Sequence, residues 1–436
     1  MRISDYLTRI DAALDADELR ALVLTLSNIP SGQGCEAESG NFVHDWMQRE
    51  GFQPRRIAAV PHRFSVVGAY GGAGAYDPLA RNLLFSSHLD TEGPLDARDE
   101  AYRERPGAVD GTLTGQNRIE DGVFIGAAIA NDRGPMSCFL MAAKALKRAG
   151  ILLSGTMTLT ACPGEIGPDP IEEMEGFANS GKDVGALYMF HHGGVAPDYM
   201  IAAEGTDFAF TSIGSGYVTF RIRLFGQAVF TPVLESPADP NDHPNPIYRL
   251  GAAIALLNTW GRGYEHAHRY ESAGGTAIPK VQIGAVRGGV PHSIGGGTAV
   301  CGLYLEVGLT PISRVQDVSR EIEAALHAGG IHDFELRPMT IRHGAEADPE
   351  AVAPLRQALG GALQAVRGET LQLAHPVYSS MWRDHNVFNM NRIPSATMGP
   401  RRHRPTLSDF VECTKLYALT AISICGVAAP EGKIIP

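Results

Sequence analysis

No stretch of this chain approaches the roughly 20 consecutive apolar residues that a membrane-spanning helix requires. Basic runs interleaved with aromatics are missing too. The formal charge is −11 and the pI is near 5.8, whereas a nucleic-acid surface needs clustered Lys and Arg. Neither a membrane nor a nucleic acid is therefore an expected partner. The opening residues, MRISDYLTRIDAALDADELRAL, lack the basic stretch, apolar core and small-residue cleavage site of a secretory signal, and a cytoplasmic protein is the expectation. Cysteine is sparse. Cys35, Cys138, Cys162, Cys301, Cys413 and Cys425 are scattered without CxxC spacing, which reads as reduced core thiols and not as a disulfide framework or zinc knuckle. Even Cys162, which stands beside a motif discussed below, reads best as a small buried residue at a strand end.

What is present is a globular composition: 436 residues, 44% hydrophobic and 19% charged, with mean hydropathy near zero. At about 100–200 residues per domain, that length allows more than one domain. No internal repeat or low-complexity segment interrupts it. In the first half, short apolar runs alternate with helical stretches. LLFSSHLD (83–90), TMTLTACPGE (156–165), ALYMFHH (186–192) and YMIAAEG (199–205) read as strands. MSCFLMAAKALKRAG (136–150) reads as a helix with a basic last turn and a terminal Gly. Such alternation predicts an α/β domain, a mostly parallel sheet sandwiched by helices. Near residue 212 the order becomes strand (216–226), helix (246–260), strands (280–286 and 298–309), helix (312–329) and strand (333–342). This is the split βαββαβ pattern of a ferredoxin-like unit. The expected organisation is a metal-binding domain from 1–211 and 346–436, interrupted by a smaller lid domain at 212–345.

Four sites bear acids or imidazole where predicted strands end, the usual ligand edge of an open α/β sheet. His88 and Asp90 alternate onto one side of an extended segment, so that the carboxylate can orient the imidazole or ligate beside it. Asp132 lies in Asn-Asp-Arg-Gly immediately before the long helix, a place where Asp also serves as an N-cap. Glu165 follows in Pro-Gly-Glu-Ile-Gly and Glu204 in Ala-Ala-Glu-Gly-Thr. Each acid alone is an ordinary loop residue. Together they form a like-charge cluster that is costly without a cation. One imidazole among carboxylates suits one or two divalent ions, Zn, Mn or Co. The Gly-rich stretches 69–76 and 288–297 match neither the P-loop nor the dinucleotide fingerprint.

SSHLDTEGP, IANDRGPMS, CPGEIG and AAEGTDF, followed by the βαββαβ insertion and a late MGPRRH, resemble the aminoacylase/carboxypeptidase G/succinyl-diaminopimelate desuccinylase family of metallohydrolases over nearly the whole chain. The resemblance implies a catalytic α/β sandwich with a lid that often dimerises, hence a homodimer through the lid acting on a small-molecule substrate. It implies two metals bridged by an aspartate, with metal-bound water, its pKa lowered towards ~7, cutting amide bonds. Carried over, His88, Asp132 and Glu204 hold one metal, and Asp132, Glu165 and His403 hold the other. Asp90 orients His88.

The chain departs from the family pattern at three places. The family's general-base Glu corresponds to Gly164, its lid oxyanion His to Phe230, and its carboxylate-binding lid Arg to Gly308. His243 or His292 stands available for the second role. Glu165 is a ligand if two metals bind and a base if one does, with His292, swinging in from the lid, as the alternative base. Tyr378, Arg383, Asp384 and His385 in YSSMWRDHN are candidates for polarising substrate. The expected activity is metal-dependent hydrolysis of a C–N bond other than an ordinary peptide bond. One alternative is hydrolytic deamination of an aromatic amine, as in nitroanthranilate aminohydrolases. Another is a non-catalytic metal- or ligand-binding member of the fold.

Overall fold

Apolar runs bounded by turn residues form the strands of a central sheet. The computed structural model describes residues 2–72, 78–91, 116–172, 175, 181–182 and 184–428. The Glu92–Pro94 end of the HLDTEGP motif and part of the 69–76 glycine stretch lie outside them. The major strands before the insertion are β1 (Arg55–Val60), β2 (Arg63–Gly71), β3 (Leu83–His88), β4 (Thr156–Cys162) and β5 (Tyr199–Ala202). The insertion contributes β6 (Gly216–Phe225), β7 (Val281–Gly288), β8 (Val300–Leu309) and β9 (Phe334–Arg342), and β10 (Ser395–Thr397) returns to the first sheet.

The first sheet has the order β1-β2-β4-β3-β5-β10. The β1/β2 and β2/β4 pairs are antiparallel, and the three pairs from β4 to β10 are parallel. It is thus a mostly parallel sheet at the end that carries the site. β3 is buried at every residue, as a strand covered on both faces must be. Phe85 and Leu83 pack on one side with Phe139 and Leu140 of the Gly134–Arg148 helix and Tyr417 of the Leu407–Cys425 helix. Leu84 and Val67 pack on the other side with Met189 and Phe388.

ALYMFHH, expected as a strand, is the helix Ala186–His192. Seven residues are too few to separate a period of 2 from one of 3.6. Its buried residues are Ala186 and Met189, one helical turn apart, and their packing against the sheet decides the conformation.

The inserted strands form a separate antiparallel sheet, β7-β8-β6-β9. Helices Ile247–Ala267 and Val315–Ala328 cover one face. Val315, Val318, Ile322 and Leu326 repeat at helical spacing and meet Val218, Phe220, Ile222 and Leu224 of β6. A two-residue pairing of Ile213–Gly214 with Ala345–Glu346 closes the base of the insertion. Among the described residues no helix is long and apolar enough to cross a membrane.

Candidate metal centre

The parallel strands converge on one edge. His88 is the last residue of β3, Glu204 lies two residues beyond β5, and Glu165 three beyond β4. Asp132 sits in the irregular turn Ile129–Arg133 that enters the long helix at Gly134, and the Asn131–Asp132 peptide is cis. Ligand atoms of His88, Asp132 and Glu204 all lie within 4.8 Å of one another, and all three residues are buried.

The backbone sets the chemistry of His88. Its Nδ1 is 2.8 Å from the carbonyl oxygen of Asp90. A carbonyl only accepts, so Nδ1 carries a proton, and Nε2 is the ring nitrogen left for a metal. Nε2 faces Asp132 Oδ2 at 3.0 Å, with Glu165 Oε2 at 4.0 Å. Nε2 of His88 and both Asp132 carboxylate oxygens are buried and make no hydrogen bond among the described residues. Such groups are costly to bury unpaired. Burial opposes protonation of His88, yet the carboxylates of Asp132, Glu165 and Asp90 outweigh it and raise its pKa well above the ordinary value. Burial, with Asp132 and Glu165 nearby, likewise raises Glu204 well above the carboxylate range, and Arg383 only partly offsets this. The donor set, one imidazole nitrogen and carboxylate oxygens, fits a divalent ion of the zinc or manganese type.

Asp90 plays a different part from the one expected. Its Oδ1 stays 3.6 Å from His88 Nδ1, and its backbone carbonyl orients the ring. The carboxylate instead accepts three backbone N–H groups, from Glu165 at 3.1 Å, Ile166 at 2.7 Å and Gly167 at 3.0 Å. Asp90 therefore shapes the loop that carries Glu165. Two buried arginines hold the same loop. Arg342 of the lid donates to the carbonyls of Gly164 and Glu165, each at 3.0 Å. Arg63, paired with Glu36, donates to Gly167 at 3.0 Å. A third, Arg133, ties the carbonyls of His88 and Leu89. Sequence reading missed these clamps, because isolated arginines far apart in the chain carry no local signal.

Gly164 is demanded by the backbone. Its φ is +72°, and a Cβ there would lie 1.5 Å from the carbonyl oxygen of Gly181. No carboxylate side chain fits where the family's base would stand.

Most of the remaining candidates are not brought to the cluster. His403 lies exposed in the loop before Pro405, and His292 lies exposed in the lid turn Pro291–Gly296. His243 is buried with its ring stacked 3.7 Å from Tyr248. The Tyr378 hydroxyl donates to Asp207 at 2.6 Å, and burial pushes its pKa up to about 12. His385 is bonded to Thr397 at 2.6 Å in the core. Arg383 does approach, with Nη1 2.6 Å from Glu204 Oε2. Asp384 is buried, 3.4 Å from the Ser86 hydroxyl, and burial followed by the Glu165 charge lifts its pKa to about 7. Burial drives the Cys162 thiol up to about 12, so it stays protonated.

No protein-family model matches the sequence. Solved structures match it nearly end to end. The dipeptidase Dug1p from Saccharomyces cerevisiae aligns with 98% of this chain and 99% of its own, at 12% identity and a TM-score of 0.67. The YXEP protein of Bacillus subtilis, described as a dinuclear metal-binding peptidase of the M20 family, aligns with 94% and 98%, at 14% identity and 0.58. A hydantoinase/carbamoylase family amidase from Burkholderia ambifaria aligns with 99% and 100%, at 15% identity and 0.58. The chain has the M20 peptidase fold. The family resemblance of its motifs is thus matched by the whole architecture, lid included. His88, Glu165 and Glu204 stand at or within three residues of the carboxyl ends of the parallel strands, where open α/β sheets bind ligands.

Proposed function

We propose that this protein is a metal-dependent hydrolase that cleaves a C–N bond, other than an ordinary peptide bond, in a small carboxylate-bearing substrate. The observation that carries the reading is the convergence of buried ligand atoms of His88, Asp132 and Glu204 within 4.8 Å of one another, with His88 Nε2 and both Asp132 oxygens making no hydrogen bond among the described residues. These three residues would hold a divalent ion, which when bound supplies Lewis acidity and lowers the pKa of water towards ~7. The M20-fold neighbours named above, among them a dinuclear peptidase and an amidase, support the same class. The Asp90 carboxylate and Arg342 fix the Glu165 loop, so the Glu165 carboxylate points at the cluster from 4.0 Å. There it takes a proton from the attacking water, or joins the ligands if a second ion binds. Arg383, beside Glu204, is placed to stabilise negative charge developing on a substrate oxygen. The absence of a base at 164 sets this site apart from ordinary peptidase chemistry.

The test is a metal titration of the purified protein, followed by a panel of N-acyl amino acids and dipeptides with Zn, Mn or Co. Metal stoichiometry well below one per chain sinks the enzyme reading in favour of a non-catalytic protein. Metal binding with no turnover of any acyl substrate, but with ammonia release from aminobenzoates, replaces amide hydrolysis with deamination, the chemistry that the backbone-enforced Gly164 favours as second choice.

We further propose a homodimer formed through the lid. Phe230, Val233, Ile247, Tyr248 and Ile294 are exposed there, and contiguous exposed apolar surface marks association sites. Light scattering on the protein and on Phe230→Asp/Ile294→Asp tests this, and a monomeric parent protein refutes it.

A further inference from the structure

The face of the lid sheet turned away from its helices carries side chains that the metal centre does not use. Along β6 the residues on this face are Tyr217, Thr219, Arg221, Arg223 and Phe225, because Val218, Phe220, Ile222 and Leu224 point into the helix-side core. Across the ladder Gly302 of β8 is the register partner of Arg223 on one side and of Arg287 on the other. Cross-strand partners stand about 5 Å apart. Two guanidinium-bearing side chains thus flank a position that has no side chain to fill the space between them. Beside them is a cavity of about 490 Å³, lined by Arg221, Arg223 and Arg287 with Phe225, Val290 and Val300. Pockets of about 300–1,000 Å³ suit small organic ligands.

Among the described residues the arginines have only loose partners. Arg221 is more than nine-tenths buried, and its Nε makes no hydrogen bond among the described residues. Its nearest carboxylates among the described residues, Glu335 and Glu175, are 3.7 and 3.9 Å away, and Glu335 is 3.9 Å from Arg223. All three separations exceed hydrogen-bond length. Arg287 donates only to the carbonyl of its neighbour Val286 at 3.3 Å and forms no ion pair among the described residues. Glu172, which also lines the cavity, is engaged by the Tyr304 hydroxyl. A buried guanidinium with an unmade bond is costly, and an anion placed between the three arginines removes that cost.

We propose that this face of the lid sheet is a second binding site, for a small organic anion whose carboxylate or phosphate is held by Arg221, Arg223 and Arg287 and whose apolar body lies against Phe225, Val290 and Val300. The site is separate from the metal centre. The end of the sheet that abuts the Glu165 loop is the Tyr217–Arg342 pair, and Arg223 lies six residues along β6. That is about 20 Å at strand rise, too far for a small amide to bridge. The inference therefore does not depend on hydrolytic activity.

The experiment is isothermal titration of the full-length protein with benzoate, phenyl phosphate and benzyl alcohol, repeated with Arg223→Ala/Arg287→Ala. Both residues are at least partly exposed, so the variant keeps its fold, checked by circular dichroism and by unchanged metal content. At least one anion should bind, the preferred one identifying carboxylate or phosphate, with benzyl alcohol at least tenfold weaker. The double variant should lose about tenfold or more, the loss expected for charge-assisted bonds. Equal binding of the neutral probe overturns the proposal. So does anion binding that survives in the double variant, which would locate it at the metal centre, and so does no binding by the parent protein.

Discussion

The Nδ1 of His88 and the backbone carbonyl of Asp90 are joined at 2.8 Å. The bond uses no side chain of the partner, so it is insensitive to most substitutions at 90, and it aims Nε2 at Asp132 and the candidate metal cluster. His88→Ala removes the only imidazole of the cluster. Its metal affinity should fall by at least about 100-fold, the upper end of what loss of a ligand's supporting bond costs. Metal content after dialysis against graded chelator measures this, and retention of the parent stoichiometry would remove His88 from the site.

The Asp90 carboxylate makes a separate prediction. Asp90→Asn leaves the His88 bond intact and turns one acceptor oxygen into a donor facing backbone N–H groups. Loss of charge-assisted bonds should cost roughly 1–3 kcal/mol of stability. Turnover should fall with metal content preserved, because the Glu165 loop and not the ligand set is disturbed. Chemical denaturation and metal analysis on one preparation separate the two effects. A parallel loss of metal would show that Asp90 acts on the ligands after all.

Restoring the family's carboxylate at 164 should fail. Gly164→Glu must adopt φ of +72° and meets the Gly181 carbonyl within 1.5 Å of its Cβ. Left-handed backbone alone costs about 1–2 kcal/mol for a non-glycine residue, and the overlap adds to it. A lower melting temperature with no gain in dipeptide hydrolysis is expected, and a gain of peptidase activity would contradict the structure.

His385 predicts a pH dependence of stability. Burial first, and the Arg383 charge second, push its pKa down to about 3, against an unfolded value near 6.5. Between those values the unfolded chain binds a proton that the folded chain refuses, so His385 destabilises the fold increasingly as pH falls from about 6.5 towards 3. Above 6.5 the effect is absent. Urea denaturation of the parent and of His385→Asn at pH 7, 5.5 and 4.5 should give a shallower acid dependence for the variant. Parallel curves would assign the acid sensitivity elsewhere.

Much of this protein is legible one segment at a time. The alternation of Val218, Phe220, Ile222 and Leu224 with Thr219, Arg221 and Arg223 in β6 and the 3–4 spacing of Val315, Val318, Ile322 and Leu326 specify strand and helix locally. The order of those elements implies the inserted βαββαβ unit. His88 and Glu204 were visible at strand ends and Asp132 just before the long helix, because those positions follow from chain direction alone. What the chain order could not supply was which distant groups meet. ALYMFHH became a helix through its burial against the sheet, and His403 stayed in solvent although its motif resembled a ligand's. Asp90 turned from its neighbour's ring to three backbone amides 75 to 77 residues away. Hydrogen bonds of that separation depend on the packing of whole elements, and no periodicity records them. The absence of a base at 164 is written in the sequence, whereas the reason none can stand there, the Gly181 carbonyl beside it, exists only in the folded chain.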